Sequence, residues 1–245
     1  MEQRFEDIRR AADSHFWYYG FRRFVNDVLT EVTDGQRDLR IIDCGCGVGQ
    51  NMPLLATYGA PTGLEPDAHA AAAGLHFGRP IVRADITRIP FPENAFDLAV
   101  SFDVLQFVEA DLAAVREIAR VIRPGGRAVL FMTALDVLAS DHSEIWRELR
   151  RYTPRTARAL VETAGLHVDR VAFLFATLFP LMLTVRTVQR LLRPFRPAPS
   201  YAEVETPPQP INEALKLMLD AEASLSHYVP MPVGSSLIVV ARKSH

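Results

Sequence analysis

Ile41-Ile42-Asp43-Cys44-Gly45-Cys46-Gly47-Val48-Gly49-Gln50-Asn51 carries an apolar strand into a carboxylate and then into three glycines on alternate positions. Glycine is required where the backbone takes positive φ or comes within contact distance of a ligand, because a Cβ blocks both. Such a turn binds nucleotides, and its type decides which. The dinucleotide form reads G-x-G-x-x-G and places a pyrophosphate on the helix N-terminus. Here Gln50 stands where that form has its third glycine. Asp43 adds a carboxylate that repels a pyrophosphate and stabilises an amino group. The turn suits an amino acid joined to a nucleoside.

Outward from this turn the chain alternates short apolar runs with helical patterns. Strands are predicted over 39–44, 61–65, 80–84, 96–101 and 127–133. Helices are predicted over 50–58, 67–75 and 111–121, the last ending at Pro124-Gly125-Gly126. Short strands alternating with helices make a mostly parallel sheet covered on both faces, with ligands beyond the C-terminal strand ends. Before this core, Phe5 to Leu29 reads as helical and concentrates aromatics at His15-Phe16-Trp17-Tyr18-Tyr19. After it, Ala134 to Arg151 is a polar excursion. A helix over 154–164 follows, with Thr153 as N-cap and Gly165 as stop, and then a strand from His167 to Phe175. A further helix from Ile211 to His227 precedes the last strand, 236–242.

The ordered set of motifs resembles class I S-adenosylmethionine-dependent methyltransferases, in the small-molecule group where D-x-G-x-G-x-G ends the first strand. Glu65 ends the second strand, Ala84-Asp85-Ile86 the third, and Phe96-Asp97-Leu98-Ala99-Val100-Ser101 forms the fourth; Arg120-Val121-Ile122-Arg123-Pro124-Gly125-Gly126-Arg127 resembles the family's helix-to-strand corner. The match is strong over residues 37 to 135 and weak elsewhere. It implies an α/β, Rossmann-like doubly wound seven-stranded sheet whose antiparallel last strand inserts between strands five and six. With the appendages read along the chain, the expected organisation is an N-terminal helical lid (1–35), a core (36–175 and 235–245) and an apolar, proline-rich helical insertion (176–234) between strands six and seven. S-adenosyl-L-methionine is the implied cofactor and S-adenosyl-L-homocysteine the product, with no metal.

Composition agrees. The chain has 245 residues, 49% of them hydrophobic, enough for one well-buried α/β domain with an accessory element. A net charge of -2 gives no general attraction to nucleic acid. Cys44 and Cys46 lie two apart in the turn and form no disulfide framework. The charged start of the chain does not read as a signal peptide, so a cytoplasmic location is expected.

The candidate cofactor residues are Asp43, Gly45, Gly47, Gly49, Asn51, Glu65, Asp85, Ile86, Ser101 and Phe102. Glu65, at a strand end 22 positions after Asp43, is placed to accept both ribose hydroxyls. Asp85 is assigned to the adenine amino group with Ile86 against the ring, and Ser101 and Phe102 to the methionine end. Methyl transfer from a sulfonium depends on alignment and water exclusion, with a base only where the acceptor is protic. His15, His142 and Tyr152 are the candidate catalytic residues, and Trp17, Tyr18, Tyr19 and Arg151 the candidate acceptor contacts. Arg151 is chosen because a guanidinium suits a phosphate or carboxylate. Many relatives carry Glu-His after the fourth strand, whereas this chain has Leu105-Gln106-Phe107, so no histidine serves there.

Val171 to Val185 is uncharged but short of the roughly 20 residues needed to cross a bilayer. Leu178 to Leu192 reads as a helix with Arg186, Arg190 and Arg193 towards its C-terminal end, open to three roles: covering an apolar acceptor, dimerising, or lying on a membrane surface. The expected function is methyl transfer to a small or amphiphilic acceptor, at oxygen before nitrogen or carbon, by a monomer or homodimer. Alternatives are methyl transfer to nitrogen or carbon of a secondary metabolite or lipid-linked glycan, and a noncatalytic S-adenosylmethionine-binding interaction protein.

Overall fold

The structure is a computed structural model describing residues 14–139, 141–195 and 206–244. Helix α1 (Phe16–Thr33) leads into β1 (Leu39–Cys44), the single-turn α2 (Met52–Leu55) and β2 (Gly59–Leu64). Then come α3 (Ala68–Gly74), β3 (Ile81–Val82), β4 (Phe96–Phe102), α4 (Asp111–Val121) and β5 (Ile122–Thr133). The second half holds α5 (Asp141–Ile145), α6 (Pro154–Thr163), β6 (His167–Leu174), α7 (Phe179–Leu192), α8 (Gln209–Ser226) and β7 (Ser236–Arg242).

The strands form one seven-stranded sheet in the order β3-β2-β1-β4-β5-β7-β6. The first five pair in parallel, and β7 runs antiparallel between β5 and β6 as expected. Each central strand is apolar on both faces because both are covered. Ile42, Ala99, Leu130 and Val239 pack under α4 and α6 through Val115, Ile118, Ala157 and Val161. Their neighbours Ile41, Leu98, Val100, Val129, Phe131, Ile238 and Val240 point the other way, against Phe21, Phe24 and Val25 of α1 and Leu219 and Ala223 of α8.

Helix α1 is therefore a sheet layer as well as a cover. Its Gly20 packs so closely on α8 that a Cβ there would lie 2.5 Å from Leu219 Cδ1. Buried Asn212 of α8 accepts the Phe16 amide and donates to the Ser14 carbonyl, tying down the start of α1. Buried Glu222 accepts the amides of Ala176 and Thr177 just after β6. The stretch assigned to an insertion thus divides. Helix α8 completes the core, while α7 buries none of its side chains and leaves Leu181, Val185, Val188 and Leu192 exposed.

Several boundaries differ from the sequence reading. The helix expected over 50–58 is one turn, because Tyr58 leads directly into β2. Edge strand β3 has two residues, after which Arg83 turns away to donate to the Pro66 carbonyl. The Pro124-Gly125-Gly126 corner lies within β5. Phe96 pairs with Ile122 and then Leu98 with Arg127, so residues 123–126 bulge out and exchange backbone bonds with Lys243. The expected start of α1 at Phe5 and part of the proline-rich stretch 194–210 fall outside the described residues.

Candidate functional site

The glycine turn leaves β1 at the C-terminal edge of the sheet. Gly45, Gly47 and Gly49 all have positive φ, at 88°, 54° and 76°, but they face different surroundings. A Cβ on Gly45 would strike Val104 Cγ2 at 2.4 Å, and one on Gly49 would press on Gly74 Cα at 3.2 Å. These two let β1 approach the loop after β4 and helix α3. A Cβ on Gly47 would meet only Gln50 Oε1, at 3.9 Å, so Gly47 is the glycine that leaves room for a ligand.

Glu65 holds that turn. Its Oε2 accepts the Gly47 amide and its Oε1 the Asp67 amide, both at 2.9 Å. Burial pushes its carboxyl up, and the two amide bonds act in the opposite direction. The sequence reading gave Glu65 to ribose hydroxyls; its first partners are backbone amides, with the remaining lone pairs open to a sugar.

Asp43 is 1% exposed, and neither carboxylate oxygen has a hydrogen-bond partner. Burial, and then the charge of Glu65, push its pKa up to about 7. An orphaned buried carboxylate is costly and calls for a partner. Two acidic groups beside an open glycine favour a cation over a pyrophosphate. The residues therefore fit a ligand with an ammonium and a ribose.

The remaining expected cofactor residues divide. Asn51 is buried before α2 without a side-chain cap bond. Ile86 is buried, and exposed Asp85 accepts from the Thr87 amide and hydroxyl through Oδ1 alone. The Ser101 side chain is turned inward, its hydroxyl donating to the Cys44 carbonyl at 3.0 Å. Phe102 is buried edge-on to Phe21, 5.3 Å between centroids. For these last two the side-chain role expected from sequence is corrected: they lock β4 to β1 and α1 to the sheet.

The expected catalytic and acceptor residues are mostly structural. His15 Nδ1 accepts the Trp17 amide as N-cap of α1, which assigns the proton to Nε2, and burial lowers its pKa. Trp17 stacks between Phe21 and Phe175, each 5.7 Å away. The Tyr19 hydroxyl donates to Asp220 of α8 at 2.8 Å. Tyr152 is 4% exposed and its hydroxyl donates to Asp111 Oδ2 at 2.9 Å, an arrangement that holds the excursion to α4. Arg151 pairs with Glu148 at 2.9 Å and donates to the Ala134 carbonyl and Ser143 hydroxyl, so its guanidinium is committed within the protein. His142 lies on α5, and its side chain is outside the described residues. Among those whose side chains are described, Tyr18 alone is near the site. It is half-buried, and its pKa is pushed up to about 12 by burial and then by the charge of Asp103.

Asp103 is the residue the sequence reading passed over. It follows β4 directly, with φ of 57°. Its amide donates to the Phe131 carbonyl at 2.9 Å, and its Oδ1 accepts from Gln106 Nε2 at 3.2 Å. Burial pushes its pKa up to about 7 against the Gln106 bond, with Glu148 raising and Arg151 lowering it. An acid immediately after the fourth strand, level with the glycine turn, was the available signal. Gln50 was also missed, having been read only as a departure from the dinucleotide pattern; its buried Oε1 beside Gly47 has no partner.

Beyond Glu148, a cavity of about 350 Å³ opens between α5 and α7, lined by Arg147, Arg186, Arg190 and Arg193 with Glu144 and Glu148. Arg193 pairs with Glu144 at 2.6 Å. Among the described residues no group of three or more His, Cys, Asp or Glu could hold a metal, and no helix is long and apolar enough to cross a membrane.

Residues 42–130 match the family described as methyltransferase domain. The demethylmenaquinone methyltransferase of Mycolicibacterium paratuberculosis is 35% identical over 140 residues, 51% of this chain and 59% of the relative. The malonyl-[acyl-carrier protein] O-methyltransferase of Erwinia billingiae is 28% identical over 168 residues, 65% of each chain. The chain thus spans less than two thirds of these relatives' lengths. Among solved structures, Haemonchus contortus phosphoethanolamine N-methyltransferase 2 in complex with S-adenosyl-L-methionine superposes with a TM-score of 0.66 at 14% identity, covering 100% of this chain and 58% of that one. The putative sarcosine dimethylglycine methyltransferase of Galdieria sulphuraria gives 0.58 at 16% identity, covering 89% and 82%. At these identities the likeness is one of fold.

Proposed function

Because this chain carries a class I S-adenosylmethionine-dependent methyltransferase domain, we propose that it transfers the methyl group of S-adenosyl-L-methionine to a small or amphiphilic acceptor, at oxygen. The observation that carries this reading is the orphaned carboxylate of Asp43 beside the open face of Gly47. Asp43 would hold the ammonium of the methionine end, the Gly47 backbone would lie against it, and Glu65 would keep the turn closed while accepting from the ribose. Asp85 and Ile86 border the place for the adenine. S-adenosylmethionine supplies a methyl group already attached to a good leaving group, so the protein's part is to align, to exclude water and to handle a proton.

Two features support an amphiphilic acceptor. The cavity between α5 and α7 has four arginines against two glutamates, and the same helix α7 carries exposed apolar side chains. A polar or anionic end and an apolar end would each find a complementary surface, reached from the cytoplasm or from a membrane face. The relatives named as acting on demethylmenaquinone and on malonyl-acyl-carrier protein agree with this breadth.

Calorimetric titration with S-adenosylmethionine and S-adenosylhomocysteine, with NAD as control, tests the reading. Micromolar binding of both sulfur nucleosides and none of NAD is expected. Folded protein that ignores both would overturn it.

A further inference from the structure

We propose that Asp103 faces the sulfonium of the bound cofactor and takes the proton of a protic acceptor, which makes a hydroxyl or enol the substrate class of this site. This rests on the cofactor reading above.

The placement comes from the strand register. Asp43 is level with Val100 in the parallel β1–β4 pair, and the Ser101 hydroxyl bonds the Cys44 carbonyl. Asp103 therefore leaves the sheet beside the glycine turn, and the side chain of its neighbour Val104 occupies the space that a Cβ on Gly45 would need. Tyr18 on α1 approaches from above, near enough for the Asp103 charge to raise its pKa. The carboxylate thus lies among the turn, the β4 end and the first turn of α1.

Its bonding leaves it available. Gln106 engages Oδ1, and no ion pair to Asp103 is found among the described residues; Arg151, the nearby cation, is bound to Glu148 at 2.9 Å. Asp103 is half-buried, desolvated yet within reach. Its positive φ is a conformation that Asp and Asn tolerate better than other residues, and non-glycine residues held there cluster at functional sites. A carboxyl near 7 is also matched to a proton transfer at neutral pH.

The step balances. The acceptor oxygen bonds to the methyl carbon, the carbon–sulfur bond breaks with its electron pair left on sulfur, and the acceptor's proton passes to Asp103 Oδ2. A sulfonium and a carboxylate become a neutral thioether and a neutral carboxyl, so charge is annihilated inside a desolvated site. Tyr18, with its raised pKa, stays protonated and can donate to the acceptor oxygen. The charged groups facing Asp103 are Glu148 and Arg151, which oppose one another.

Proton release on cofactor binding tests this. S-adenosylmethionine carries the sulfonium and S-adenosylhomocysteine does not, while their amino-acid ends are the same, so Asp43 contributes equally to both. Titration calorimetry at pH 7 in buffers of different ionisation enthalpy should show S-adenosylmethionine releasing up to about 0.5 proton more than S-adenosylhomocysteine, as a half-protonated Asp103 ionises. In Asp103→Asn, whose side chain suits the same φ, S-adenosylhomocysteine should still bind within about threefold, S-adenosylmethionine should lose at least about fivefold, and the difference in release should vanish. Equal release from the wild type, a difference surviving in Asp103→Asn, or a variant that binds neither nucleoside would each overturn the proposal. Absence of binding by the wild type would instead sink the cofactor reading beneath it.

Discussion

Glu65 Oε2 accepts the Gly47 amide at 2.9 Å, joining the end of β2 to the one glycine of the turn that faces open space. A single carboxylate thus shapes the loop, and under the proposed function it also borders the cofactor. Glu65→Ala should lower S-adenosylmethionine affinity at least about tenfold, the scale of one lost charge-assisted bond, by calorimetry. Glu65→Gln keeps an acceptor for the amide and should lose less; equal losses would refute the bonding role.

The glycines should fail differently. In Gly47→Val the side chain has space within the protein but fills the ligand's place, so binding should be lost with a melting temperature lowered by only a few degrees, from about 1–2 kcal/mol of backbone strain. Gly49→Val would drive its side chain into Gly74 and should unfold the protein more readily than it affects binding by the folded fraction. Thermal melts and calorimetry on the pair separate the two.

Asp43 makes stability depend on pH. Its folded pKa is raised to about 7 from 3.8, so the folded state holds the proton more tightly than the unfolded chain. Stability of the ligand-free protein should therefore fall as pH rises from 4 to about 7, by roughly 1.4 kcal/mol per unit of pKa difference at most. Asp43→Asn should remove this loss, raising the melting temperature at pH 8 but not at pH 4, while weakening S-adenosylmethionine binding. A variant no more stable at pH 8 would contradict the burial argument.

Tyr152 and Arg151 should act on stability. Tyr152→Phe leaves Asp111 its Arg150 partner at 2.7 Å and should cost about 1–2 kcal/mol by denaturant unfolding, without selective loss of turnover. Arg151→Ala strands Glu148, which is 5% exposed, and should cost about 3 kcal/mol. A loss of turnover in Tyr152→Phe at unchanged stability would restore it as a catalytic residue.

Val185 and Leu192 lie on the exposed apolar side of α7. Val185→Glu with Leu192→Glu should leave the melting temperature and cofactor affinity unchanged, since exposed positions contribute within about 0.5 kcal/mol. Sedimentation with and without anionic vesicles should show lost self-association or lost vesicle binding. If neither property exists in the wild type, the face covers an acceptor and the double variant should alter acceptor use alone.

The sequence by itself determined the turn, the succession of strands and helices and the cofactor class. Those follow from local chemistry: alternate glycines after an acid, short strands between helices, a carboxylate ending β2. Even the insertion of β7 between β5 and β6 came with the family pattern. The acceptor side was decided only by the tertiary structure, because its residues gain their chemistry from neighbours far along the chain. His15 became a helix cap, Tyr19 was claimed by Asp220, Tyr152 by Asp111 and Arg151 by Glu148. Asp103, legible in the sequence only as an acid after the fourth strand, acquired a shifted pKa only once the fold buried it near Glu148. Periodicity and motif report what a residue contributes to its own element; desolvation and pairing depend on which elements fold against it.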